Sequence, residues 1–148
     1  MSLKNRITDD MKSAMKAKDA MRLSAIRMLL AAVKQKEVDE RVVVDDASLV
    51  SIIEKLAKQR KDSIAAFEQA ERLDLADKER AELQILTEYL PPQLSEPEIQ
   101  AVIQSIIAAA GTVTAADMGK LMAQAKAQLA GKADMSRVSA LIKQALSQ

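Results

Sequence analysis

Apolar residues return every three or four positions along most of this chain, which is the spacing of one buried helical face. Leu3, Ile7, Met11, Ala14 and Met15 predict a first amphipathic helix that ends near Lys18. Asp19 is placed to cap a second, in which Leu23, Ile26, Leu30 and Val33 form the buried stripe and Arg22, Arg27, Lys34 and Lys36 look outward to about Val38. Arg41 to Asp46 reads as an extended loop, because Val42-Val43-Val44 favours β structure but has no partner strand anywhere in the sequence. A long third helix follows, capped by Asp45 or Asp46, with a core line through Leu49, Ile53, Leu56 or Ala57, Arg60, Ile64 and Phe67. Asp74 is expected to cap a fourth helix that buries Leu75, Leu83, Leu86 and Leu90.

The pattern then breaks at Tyr89-Leu90-Pro91-Pro92-Gln93-Leu94-Ser95-Glu96-Pro97-Glu98, which holds all three prolines of the chain. Proline removes a backbone donor and disfavours helix in the residue before it, so the preceding helix stops. Ser95 with Glu98 three positions on is a capping box, and Pro97 falls in the first turn, so a new helix starts at once. This joint divides the chain into residues 1–92, an N-terminal helical domain of about four helices, and 93–148, a three-helix tail; so short a linker implies a fixed or narrowly hinged presentation. In the tail, Ile99, Val102, Ile103, Ile106 and Ala110 run to Gly111. A Thr114-capped helix then buries Met118, Leu121, Met122, Ala125 and Leu129, and an Asp134-capped helix buries Val138, Leu141, Ile142 and Ala145. The fold class is all-α.

Composition agrees and narrows the chemistry. An apolar fraction of 49% supplies a core, and only Phe67 and Tyr89 are aromatic, Phe67 being the one large aromatic expected inside. Cysteine and histidine are absent, which excludes disulfides, thiolate or imidazole metal sites, cysteine nucleophiles and histidine acid–base pairs. No glycine-rich phosphate loop accompanies the carboxylates, so no catalytic residue, metal or cofactor is expected. No apolar run approaches a membrane span, and Asp9, Asp10 and Asp19 argue against a mitochondrial transit peptide, so a cytoplasmic location is expected.

The net charge of +1 is unevenly spread. Residues 1–36 carry nine basic against three acidic residues (+6), and residues 37–94 carry eight against fourteen (−6). From Met118 onward Lys120, Lys126, Lys132, Arg137 and Lys143 face Asp134 alone. These five are the candidate contacts for a polyanion such as RNA. With no aromatic residues among them, contact is expected with backbone and shape rather than by base stacking.

Three smaller features carry alternatives. Arg60 occupies an apolar position of its helix: it either lays its methylenes on the core and sends the guanidinium to a carboxylate such as Glu82, or binds a ligand. The turn Gly131-Lys132-Ala133-Asp134-Met135-Ser136-Arg137 reads as plain capping by Asp134 or as a phosphate site at a helix N-terminus. Gly119, inside a helix at a cost of about 1 kcal/mol against alanine, shares a small-residue face with Ala116, Ala123, Ala127 and Ala130. That face suits close approach by another helix, a partner protein or a nucleic-acid backbone.

Lys58-Gln59-Arg60-Lys61-Asp62-Ser63-Ile64 with Phe67 and Arg72, Tyr89-Leu90-Pro91-Pro92-Gln93-Leu94, Met118-Gly119-Lys120-Leu121-Met122 and Gly131-Lys132-Ala133-Asp134 together resemble the GatB/YqeY proteins. The resemblance spans most of the chain and is to a free-standing YqeY-like protein. It implies a larger N-terminal helical domain and a tail similar to the C-terminal domain of the B subunit of the tRNA-dependent amidotransferase, which helps to hold tRNA. The catalytic portions of that enzyme have no counterpart here, so any carbon–nitrogen ligase role implied by similarity would come through association with an amidotransferase. The expectation is a non-catalytic adaptor for tRNA or another structured RNA; the alternative is a protein-interaction module using the Gly119 face.

Overall fold

The computed structural model describes residues 2–111 and 113–147. Among these the protein is all-α, with no strand and seven α-helices. It divides into two compact units, Met1–Leu90 and Pro91–Gln148.

The first unit holds α1 (Leu3–Ala17), α2 (Ala20–Glu40), α3 (Asp46–Gln69) and α4 (Leu73–Thr87). Three of its four helices start where a side-chain acceptor satisfies a free N–H group of the first turn. Ser2 accepts from the Asn5 N–H at 3.1 Å, Asp19 from Arg22 at 3.1 Å and Asp45 from Ser48 at 2.8 Å. Lys18, with φ at 56°, takes the left-handed conformation that ends α1 and lets α2 begin almost immediately. The core gathers Ile7, Ile26, Leu29, Val33, Leu49, Ile53, Leu86 and Tyr89.

Several details depart from the sequence pattern. Helix α2 runs two residues past Val38, to Glu40, and its innermost stripe is Ala25, Ile26, Leu29 and Val33, with Leu23 and Leu30 only half-buried. Asp74 is not a cap. Arg72 occupies that position without a side-chain cap bond, and its guanidinium holds the Asp74 carboxylate at 3.2 Å instead. Phe67 is half-buried rather than central, since α3 has turned its inner face away by that point; Leu75 and Leu83 are half-buried too, while Ala76 and Ile85 go inside. The segment after α2 is an extended loop, as the sequence suggests, yet Val44 in it is 5% exposed while Val43 is 86% exposed. Glu37 fixes the difference by accepting the Val44 N–H at 3.0 Å while also pairing with Lys4 at 3.1 Å, and together these hold its carboxyl below the usual range.

Tyr89, from the joint motif, closes this unit. It donates its hydroxyl to Asp10 at 2.6 Å and takes the Arg6 guanidinium over its ring, 5.0 Å from the centroid. Next to it Glu88 pairs with Arg22 at 2.7 Å, so the end of α4 is tied to both α1 and α2.

The second unit holds α5 (Glu96–Ala110), α6 (Met118–Leu129) and α7 (Met135–Leu146) around Ile99, Ile103, Ile106, Leu121, Ala125, Leu129, Val138 and Ile142. The capping box forms: Ser95 accepts from the Glu98 N–H, and the Glu98 carboxylate accepts from the Ser95 N–H at 3.1 Å. Gly111 ends α5 at φ 79°, a conformation glycine adopts without strain. Thr114 caps a 3-10 turn, Ala115–Asp117, that leads into α6 rather than capping α6 itself. Among the described residues no single helix is long and apolar enough to cross a membrane.

Candidate polyanion-binding surface

The tail unit presents its cations in a particular setting. Between Pro91 and the end of the chain there are four acidic residues, Glu96, Glu98, Asp117 and Asp134, and five basic ones. All four acids are engaged locally. Glu96 pairs with Arg137 and Glu98 completes its capping box. Asp117 accepts from the Thr114 N–H at 2.8 Å, and Asp134 from the Ser136 N–H at 3.0 Å. Lys120, Lys126, Lys132 and Lys143 are exposed and make no ion pair among the described residues. Arg137 alone of the five candidates is neutralised.

These side chains do not form a single stripe. Lys120 and Lys126 are six residues apart on α6, which at about 100° per residue sets them about 120° apart around the axis. Arg137 and Lys143 on α7 are related in the same way. Lys143 stands at the lip of a 220 Å³ notch lined by Ala115, Met118 and Leu146.

Lys132 lies in the turn between α6 and α7, and that turn is clamped. Gln93 donates its side-chain amide to the Gly131 carbonyl at 2.6 Å and to the Pro91 carbonyl at 2.9 Å, and the Leu94 N–H donates to the Lys132 carbonyl at 2.9 Å. Gly131 sits at φ 78° and is buried, and Ala133 is 7% exposed, so only the Lys132 side chain projects. With Asp134 accepting from the Ser136 N–H in the first turn of α7, the geometry here is capping, the simpler of the two readings of this turn. Gln93 and Leu94 are the residues sequence reasoning missed. The Pro-Pro-Gln-Leu and Gly-Lys-Ala-Asp motifs were both visible, but nothing local says that they meet.

The small-residue face is exposed, with Lys120 and Lys126 at its two edges. Ala116, Gly119, Ala123, Ala127 and Ala130 are all exposed, and a Cβ built on Gly119 meets no described atom within 4 Å. Within the tail unit, among the described residues, no helix packs closely against Gly119, contrary to what its interior position had suggested.

In the first unit Arg60 does what its position implied. Its Nε lies 3.0 Å from Glu82 and 3.2 Å from Glu79, with the Met28 sulfur against the guanidinium. The side chains of Arg60, Glu79 and Glu82 are 14%, 21% and 13% exposed. Arg60 Nε and Glu79 Oε2 are buried without an aligned hydrogen bond, so charge rather than geometry holds this triad. Among the described residues no group of three or more acidic side chains is placed to hold a metal ion.

Fold and surface together define a two-part, all-helical protein whose tail carries four exposed lysines with no ion pair among the described residues. A family model described as Yqey-like protein matches residues 4–146. The chain belongs to the YqeY-like protein family. It is similar to proteins named Altered inheritance of mitochondria protein 41, mitochondrial. The one from Lachancea thermotolerans is 41% identical over 101 residues, 66% of this chain and 54% of that protein. The one from Kluyveromyces lactis is 39% identical over 104 residues (68% and 56%), and that from Saccharomyces cerevisiae strain YJM789 is 40% identical over 106 (70% and 57%). The chain spans about half the length of these curated relatives. Their names overturn the cytoplasmic expectation: these relatives are mitochondrial proteins, and the acidic residues of the first helix were not sound grounds for assigning a compartment.

Proposed function

We propose that this protein is a non-catalytic adaptor whose tail unit binds the phosphate backbone of a structured RNA, tRNA being the RNA that the resemblance to the amidotransferase B-subunit tail favours. The observation that carries this reading is the charge state of the tail. Every acid there is used in a cap or an ion pair, while Lys120, Lys126, Lys132 and Lys143 are exposed and make no ion pair among the described residues. Each lysine that meets a phosphate releases condensed counterions, so binding is salt-dependent and indifferent to base identity. Phe67 and Tyr89, the only aromatic residues, lie outside the tail, which leaves no platform there for base stacking.

The test is fluorescence anisotropy with an end-labelled tRNA transcript across a salt series. Log K should fall with log salt by roughly 0.7–0.9 for each phosphate contacted. Reversing Lys126 and Lys132 together should weaken binding and reduce the slope by about one for each lost contact. Affinity that is flat with salt, or untouched by the double reversal, overturns the reading.

A second reading rests on the uncovered Gly119 face, whose small side chains let a partner helix approach closely between Lys120 and Lys126. Under it, Gly119→Leu abolishes partner capture, while reversing Lys132 and Arg137, which lie off α6, leaves capture intact.

A further inference from the structure

The first unit contains a groove of about 520 Å³ along the seam of α2 and α3. It exists because α3 packs chiefly on α4 and leaves its seam with α2 open. Ala32, Ile52 and Leu56 form the floor, each half-buried, with Ile52 and Leu56 resting on the core by their inner sides. The walls differ in sign. On the α2 side Lys36 is taken up by Glu40 at 3.4 Å, and Asp39 accepts only the Gln35 amide, at 2.8 Å, so a net negative charge faces the groove. On the α3 side Lys55 stands between the neutral Ser51 and Gln59 and makes no ion pair among the described residues.

We propose that this groove receives an amphipathic helix from a partner protein, one with an apolar stripe bordered by acidic residues along one flank and basic residues along the other. The wall residues recur at four-residue steps, Ser51 to Lys55 to Gln59 and Lys36 to Glu40, which is the ridge spacing that an incoming helix interdigitates with. The groove spans nine residues of each helix, eight rises or about 12 Å, which is just over two turns of an occupant. Three apolar floor positions match anchors at i, i+4 and i+7. Charge selects the occupant: its acidic flank lies against Lys55 and its basic flank against Asp39. A helix with two acidic flanks meets Asp39 and Glu40 unfavourably, and one with two basic flanks meets Lys55 in the same way.

Three designed helical peptides with one apolar stripe but mixed, all-acidic or all-basic flanks, each titrated by anisotropy against the full chain, test this. The mixed peptide should bind best, by roughly twofold to tenfold over either of the others, since each of those changes one flank and so turns one exposed attractive pair into a repulsive one. Lys55→Glu, a surface change that leaves the core intact, should weaken the mixed peptide and transfer the preference to the all-basic one. Equal affinity for the three peptides, no saturable binding, or an unchanged order in the Lys55→Glu protein overturns the proposal. So does light scattering that shows a dimer broken by Lys55→Glu, which assigns the groove to a second copy.

Discussion

Replacing Arg60 with leucine tests the charge arrangement of the first unit directly. In the native protein one guanidinium faces two carboxylates at 3.0 and 3.2 Å, in a site where all three side chains are about four-fifths buried or more. At an effective dielectric of about 20, each contact is worth about 5 kcal/mol of gross Coulomb attraction, most of it offset by the desolvation of three ions. The net benefit is therefore small, whereas the loss of one partner is not. Without Arg60, Glu79 and Glu82 share a dry site with nothing to neutralise them, a situation that costs about 3–5 kcal/mol in fully buried pairs. The residual exposure of 13–21% brings the expectation to about 2–4 kcal/mol. Urea unfolding followed by tyrosine fluorescence measures it, because the chain has a single tyrosine, Tyr89, and no tryptophan, and Tyr89 belongs to the first unit's core. The triple variant Arg60→Leu, Glu79→Gln, Glu82→Leu should return to within about 1 kcal/mol of the parent, since a buried ion cluster and a packed neutral one are often close in stability. A single variant that loses less than about 0.5 kcal/mol, or a triple variant as unstable as the single, refutes the argument.

Two further outcomes follow from the geometry. Burial and the bond to Asp10 both push the Tyr89 phenol above its ordinary value of 10, with burial the larger cause. A raised folded value means a stabilising contribution that is complete below pH 10 and is lost as pH climbs through the folded-state value, so tyrosinate absorbance should lag a free phenol and rise with alkaline unfolding; a midpoint at 10 in folded protein contradicts this. Gly119→Ala should stabilise the tail by about 0.5–1 kcal/mol in thermal unfolding, because the helix gains propensity and the new methyl meets nothing within 4 Å; destabilisation would mean that the face is already covered.

Local chemistry was legible in the sequence and long-range pairing was not. Asp19, Asp45, Ser95, Thr114 and Asp134 all accept a backbone N–H where their residue types suggested caps, since a cap is decided within three or four residues. Asp74 failed because Arg72, two residues away, competes for its carboxylate. The face of α2 was misjudged between Leu29 and Leu30 because apolar residues surround that helix from Ala20 to Val33, so periodicity does not choose a side. A carboxylate such as Glu82 could be expected beside Arg60 because a guanidinium at an apolar helix position needs a counter-charge, whereas Glu79, its second partner, was not named. The Tyr89–Asp10 and Arg22–Glu88 contacts join residues 79 and 66 positions apart, and no local pattern encodes them.

The clamp on the Gly131 turn has the same origin, and it gives the proline joint a meaning beyond stopping a helix. Pro91 and Pro92 have no N–H, so the first donors after them are those of Gln93, Leu94 and Ser95. The Leu94 N–H goes to Lys132 and the Ser95 N–H to Glu98, while both donors of the Gln93 side-chain amide are used, on Pro91 and on Gly131. The carbonyls of Gly131 and Lys132, left without helical partners where α6 ends, are satisfied by a segment almost forty residues earlier. Lys132 is also held by its own N–H, which donates to Leu129 at 2.9 Å. Its backbone is thus fixed on both sides before any ligand arrives, and Lys120, Lys126 and Lys143 stand on helices that are equally fixed. Under the RNA reading, cations at constant spacing suit a polyanion that is itself folded, because little backbone entropy remains to be lost on binding. On that reading a single-stranded RNA would have to give up its own flexibility to match them, and the surface would favour a folded RNA by shape and not by its bases.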